Sequence, residues 1–278
     1  MSLTDYKLPE AGRAPSVLSL ISDSVKRQVL AVQNYTYLSV RVIGDIFTPP
    51  FYLLDAFEQM DVIGVGSLPI VLLTGFFIGV VTVLQTASQF QRFGQTALTG
   101  DVVALALVRE LGPTITGLLV AGRNSSGMAS ELGSMLVTEQ VDAMRAMGTD
   151  PTRKLVVPRV VATVLMLPLL TTLADFIGLI GGFVVTHFEL GLDPVQYWSR
   201  AVHALDFSDV IQGLTKPIVF ALILSTVGCY QGLNVRGGTQ GVGRATTQAV
   251  VVSSVLILVT DAFLSRIFLS PFMSWLSR

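Results

Sequence analysis

Arg109 and Glu110 stand side by side at the head of a run of mostly apolar or small residues that continues to about Ser134. Lys216 and Asp261 interrupt two later apolar runs, and Asp175 interrupts another. A charge at the centre of a bilayer costs about 2.5 to 3.5 kcal/mol on insertion scales, so such groups pair, face a cavity or carry function. The chemistry open to them is the gripping of a polar group in an apolar setting. Arg109 and Glu110 can pair with each other or cap a helix end. Lys216 and Asp261 can pair with each other or with Glu110, whereas Asp175 has no obvious partner; both aspartates read as structural.

No catalytic constellation accompanies these charges. His187 and His203 lack HExxH or any other ligand spacing, so no metal site is expected, and no GxSxG elbow is present. Gly238, Gly243, Arg244 and Ala245 reproduce the glycine spacing of a phosphate-binding loop, but Arg replaces its Lys and Ala its hydroxyl residue. The chain is therefore not read as an enzyme and is expected to bind no cofactor; any ATP that powers it must be hydrolysed by another chain. Cys229 lies in an apolar stretch and reads as a small core residue.

Beyond Ser134 the composition changes. Thr138, Glu139, Gln140, Asp142, Arg145 and Asp150 crowd into a segment closed by Gly148 and Pro151. This predicts a helix over Glu139–Met147, capped by Thr138, with acids at its positive end, Arg145 near its negative end and Gly148 in the left-handed closing position. Isolated helices shorter than about 12 to 15 residues are marginal in water, so this one needs a surface to pack on. Val141, Met144 and Met147, spaced three apart, form an apolar stripe for a partner.

The elements that must position these residues are membrane helices. Of 278 residues 51% are hydrophobic and only 13% charged, with a mean hydropathy of +0.66, whereas soluble domains carry about 25% charged residues. A net charge of -1 argues against nucleic acid as a main partner. Apolar runs at Val62–Leu84, Val102 to about Ser134, Leu155–Phe188, Val210–Leu233 and Ala249 to about Met273 are each long enough for a hydrocarbon core of about 30 Å. The third must tilt, kink at Pro168 or project beyond the bilayer, and Gly178, Gly181 and Gly182 in it would let helices approach closely, within the chain or across a dimer.

Residues 1–15 read as disordered, and Asp5, Lys7, Pro9, Glu10 and Arg13 stand where a cleavable signal would need an apolar core. From Ser16 to about Met60, Val17, Leu20, Ile21, Val25, Val29 and Val32 fall on one face opposite Asp23, Lys26, Arg27 and Gln33, as in an amphipathic helix on a membrane surface; Pro49 and Pro50 break it. This divides the chain into a tail with an interfacial helix, 1–60, and a five-span domain, 61–278. Lys7, Arg13, Lys26, Arg27, Arg41, Arg123, Arg145, Arg153, Lys154, Arg159, Arg236 and Arg244 share one side of that topology, and Arg92, Arg200, Arg266 and Arg278 the other. The positive-inside rule then puts the N-terminus and the short helix in the cytoplasm and the C-terminus outside.

Several segments carry a family resemblance: RELGP at Arg109, AGR with its small-residue run, ELGSM, VTEQVDAM, DP and VVPR, with FIGVVTVLQ, GLTKPIVFA and GVGRATTQAVVVSS elsewhere. In type and order these resemble the MlaE family of permeases, which serve ABC transporters containing MCE proteins, over most of the chain beyond about residue 60. The resemblance implies an all-α permease subunit in a bacterial inner membrane, a homodimer with separate ATPase subunits and an MCE-domain protein, moving phospholipid between that membrane and an MCE conduit toward the outer membrane. It implies that the short helix docks in a groove of the ATPase through Glu139, Gln140, Val141, Asp142, Ala143, Met144, Arg145 and Met147. It also implies a lipid cavity between two copies, walled by Thr82, Gln85, Gln89, Phe90, Phe93, Arg109, Glu110 and Leu111, to which Lys216 of GLTKPIVFA is added as an intramembrane cation. The rival reading is a stand-alone channel or secondary transporter with Arg109, Glu110 and Lys216 as its polar pathway, and an intramembrane enzyme would need a nucleophile or metal site that the residues do not offer.

Overall fold

The computed structural model describes residues 17–268, and among these there is no strand. The helices are α1 (Val17–Asp45), α2 (Leu53–Ile63), α3 (Leu68–Arg92), α4 (Thr99–Val137), α5 (Gln140–Ala146), α6 (Val157–Leu190), α7 (Pro194–His203), α8 (Phe207–Leu233) and α9 (Gly238–Phe268). Five segments are long and apolar enough to cross a membrane: Leu53–Arg92, Thr99–Val137, Thr152–Leu190, Phe207–Leu233 and Gly238–Phe268. The five-span, all-helical architecture expected from hydropathy is thus the observed one.

The boundaries differ where hydropathy and helicity part company. The fifth span, α9, begins at Gly238, not near Ala249, because the polar GTQGVGRATTQ stretch is helical although it is not apolar. The first span starts at Leu53 rather than near Val62, because it takes in α2, which a tight 3-10 turn at Val65–Ser67 separates from α3. The side chains of Val17, Leu20, Ile21, Val25 and Arg27, the tail 1–15 and the expected end at Met273 lie outside the described residues. Val29 and Val32 are exposed on α1, but Val42 is wholly buried. Tyr35 shares a 3.0 Å hydroxyl contact with Thr226, and Tyr230 donates to the Ala31 carbonyl at 3.2 Å, so the second half of α1 is held against α8.

Close approach of α3 and α6 organises the bundle. A Cβ placed on Gly75 would come 2.7 Å from the Ala174 carbonyl oxygen, and one on Gly178 would come 3.1 Å from the Gly75 carbonyl oxygen. The small residues of α6 therefore serve packing within the chain. Gly75→Val is expected to cost about 1 to 3 kcal/mol by overpacking, read as a lower thermal midpoint in detergent; an unchanged midpoint would mean that the two helices separate freely.

Candidate functional site

Within α4 the ladder of hydrogen bonds is interrupted twice, by π turns at Leu107–Leu111 and Ala121–Ser125. Such turns are rare and concentrate at functional sites. The first presents Arg109 and Glu110. They do not pair with each other. Arg109 Nε donates to Asp209 Oδ1 at 2.6 Å, at the start of α8. Asp209 itself is fixed by a capping box, its Oδ2 accepting from the Asp206 amide at 3.0 Å.

Glu110 meets Lys216, whose side chain has 0% exposure. The Lys216 ammonium has three protons. They go to Glu110 Oε2 at 2.6 Å, Ser265 Oγ at 2.8 Å and the Arg109 carbonyl at 3.0 Å, a main-chain oxygen inside the π turn. Asp261 Oδ1 lies 2.9 Å from the same nitrogen without a hydrogen bond, an ion pair off the donor directions, while its Oδ2 accepts from Thr114 Oγ1 at 3.1 Å. Ser265 donates to Glu110 Oε1 at 3.0 Å, and Gln212 Nε2 lies 3.4 Å from that oxygen. The result is a polar layer of two cations and three carboxylates binding α4, α8 and α9 inside apolar surroundings. Asp175 remains apart, with Oδ1 unpartnered among the described residues.

The other expected cavity residues lie on α3 and just after it. Thr82 donates to its own helix, at the Ile78 carbonyl 2.7 Å away. Phe90 and Leu111 are half-buried, and Gln85, Gln89 and Phe93 are exposed. No hydrogen bond, ion pair or ring contact joins these side chains to Arg109 or Glu110 among the described residues. The cleft between α3 and α4, lined by Gly75, Ile78, Leu111 and Asp175 among others, measures about 10 Å³, room for roughly one water.

The short helix runs over Gln140–Ala146, one residue shorter at each end than expected. Thr138 does not cap it: its hydroxyl donates to the Ser134 carbonyl at 2.9 Å, and Glu139 takes a left-handed conformation with φ 60°. Gly148 does adopt the left-handed closing conformation, with φ 79°. The apolar stripe divides. Val141 is 0% exposed in the core beneath α5 with Leu132, Val156 and Val160, and Met144 packs beside it. Met147 is 74% exposed, Ala143 is exposed, and Asp142 and Arg145 form an exposed ion pair at 2.9 Å. Ion pairs of Arg41 with Asp150 and of Arg153 with Asp45 tie the loop after α5 to α1, and Lys154 pairs with Asp55 of α2.

Asp209, Gln212, Thr114 and Ser265 were not singled out from sequence; the only available signal was the Asp206-x-x-Asp209 capping pattern before an apolar run. Arg123, in the second π turn, was noted only as a charge. Its Nη1 donates to Ser67 Oγ at 2.8 Å and to the Val62 carbonyl at 3.2 Å, bridging the break between α2 and α3.

A family model described as Permease MlaE matches residues 56–267, a stretch that takes in the polar layer and α5. A probable ABC transporter permease protein of Rickettsia felis is 41% identical over 252 residues, covering 89% of this chain and 97% of the relative. The intermembrane phospholipid transport system permease protein MlaE of Haemophilus influenzae is 37% identical over 211 residues, 76% of this chain and 81% of the relative. The chloroplastic protein TRIGALACTOSYLDIACYLGLYCEROL 1 of Arabidopsis thaliana is 38% identical over 271 residues, 96% of this chain and 77% of the relative.

Proposed function

We propose, because this chain belongs to the MlaE permease family, that it is the transmembrane permease subunit of an ATP-driven transporter moving phospholipid between the inner membrane and an MCE-protein conduit toward the outer membrane. The observation that carries this reading is the family match across both the polar layer and α5. In this reading two copies form a homodimer. ATPase subunits dock on α5, an MCE-domain protein covers the opposite end, and α5 and the N-terminus lie in the cytoplasm and the C-terminus in the periplasm, a topology that the distribution of Lys and Arg favours. The chain binds no cofactor, and ATP is held by the partner.

Two features support a lipid path between copies. The cleft between α3 and α4 holds about one water, whereas Gln85 and Gln89 on α3 and Phe93 just after it are exposed, where apolar walls and scattered polar groups suit tails and head group. Arg109 is 36% exposed and so can reach a head group while its Nε stays on Asp209; Lys216, fully enclosed, acts by positioning Glu110 and the π turn. Closure driven by ATP would move α5, and with it α4, narrowing the space between copies.

The test is affinity purification of the full chain from membranes in mild detergent, with mass spectrometry of what accompanies it. An ATPase, an MCE protein and phospholipid recovered together is the expected result. A chain that purifies alone and moves lipid in proteoliposomes without ATPase overturns the reading in favour of a self-sufficient carrier.

A further inference from the structure

A second polar site lies further along α4, about 20 Å from Glu110 to Arg123 at 1.5 Å per residue. There a cavity of about 200 Å³ opens between α2 and α4, lined by Gln59, Ile63, Arg123, Asn124, Gly127 and Glu131 among others. Asn124 is 6% exposed, and its Nδ2 has no partner among the described residues. A buried amide left unpaired is costly, so a turn of this side chain that brings Nδ2 to the cavity lets a ligand accept from it and gain differential binding.

Arg123 adds charge. It has no carboxylate partner among the described residues, and only its Nη1 donates to protein there. Gly66 makes room for the guanidinium, since a Cβ there would sit 2.5 Å from Nη2, and a Cβ on Gly127 would meet nothing within 4 Å, which keeps the cavity open. Glu131 also borders the space, but Arg159 at 2.8 Å balances its charge. A guanidinium and an unpaired amide donor beside exposed apolar Val62 and Val65 call for a ligand that is acceptor-rich, anionic and attached to apolar chains.

We infer that this cleft binds the phosphodiester of a phospholipid in the leaflet on the α5 side, a head-group site separate from the Arg109 layer. The inference rests on the lipid-transport reading above. It assigns Arg123 and Asn124 as the phosphate donors and places the acyl chains along the outer faces of α2 and α3. A lipid phosphodiester and free phosphate present the same acceptor oxygens, so the source must be separated by experiment.

The full chain carrying Gln59→Cys, in which the native Cys229 is buried, is treated with a maleimide in mild detergent. Added phosphatidylethanolamine is expected to slow alkylation at least fivefold. Diacylglycerol with the same tails, and inorganic phosphate at millimolar concentration, are expected to leave it unchanged. In the same background Asn124→Leu is expected to raise the lipid concentration needed for protection about tenfold, the loss of one hydrogen bond to a charged group, without lowering the thermal midpoint, because its Nδ2 serves no protein group. Arg123→Gln is expected to do the same and, by loosening the α2–α3 bend, to lower the midpoint as well.

Equal protection by diacylglycerol overturns phosphate recognition. Protection by inorganic phosphate but not by lipid overturns the lipid source. Protection that survives both substitutions, or no protection by lipid at all, overturns the site. Because alkylation is read on the isolated chain and co-purification on the assembly, each can fail without the other.

Discussion

Lys216→Met is expected to cost about 3 to 5 kcal/mol, the typical penalty for removing one partner of a buried ion pair. Glu110 and Asp261 both approach the Lys216 ammonium within 2.9 Å, and that ammonium has no exposed surface through which water could replace it. Without it two carboxylates face each other, Ser265 loses a donor and the π-turn carbonyl of Arg109 keeps only the longer hydrogen bond from Gln212 Nε2 at 3.5 Å. Since whole domains are stable by only about 5 to 15 kcal/mol, the variant should give little folded protein and no transport. Lys216→Arg should not rescue it, because a planar fork does not fit a place shaped for three tetrahedral donors. Adding Glu110→Gln to Lys216→Met should recover part of the loss by removing one orphaned charge. The measurement is the thermal midpoint of detergent-purified protein. A Lys216→Met chain that melts with the wild type would show that the layer contributes nothing to the fold.

The unequal visibility of these groups in the sequence has a physical origin. Lys216, Glu110 and Asp261 stand out because each interrupts an apolar run, and charges in such runs must find one another. Asp209 does the same work for Arg109, yet it sits at the polar edge of its span, where an aspartate reads as an ordinary helix start. Five spans were legible because the bilayer demands long apolar runs. Helix ends that project beyond the apolar layer, such as Gly238–Gln248, obey no such demand and were missed. The bend at Val65–Ser67 was also hidden, since it depends on Arg123, distant in sequence, satisfying the Val62 carbonyl and Ser67. In α5 the spacing marked Val141, Met144 and Met147 as one stripe for a partner, but the chain's own core takes Val141 and packs Met144, because a three-residue period cannot tell which members a neighbouring core will take.

That division makes the second large effect specific. Met147→Asp is expected to abolish lipid transport while leaving the fold intact. Met147 is 74% exposed and absent from the core beneath α5, so a carboxylate there remains in water and costs the chain little. If α5 seats in an ATPase groove, the same carboxylate would have to be buried in an apolar contact. Losses at such central contacts reach about 2 kcal/mol or more, roughly thirtyfold in affinity. Val141→Asp supplies the contrast: it puts a charge at a site with 0% exposure and should unfold the α5 end of the bundle. Co-purification of ATPase, alongside thermal midpoints for both variants, separates the two. A Met147→Asp chain with a wild-type midpoint and no bound ATPase is the expected outcome. One that still retains the ATPase and transports lipid would remove α5 from the coupling path and leave the exposed surface of the α8–α9 turn, around Arg236 and Arg244, as the place to look for it.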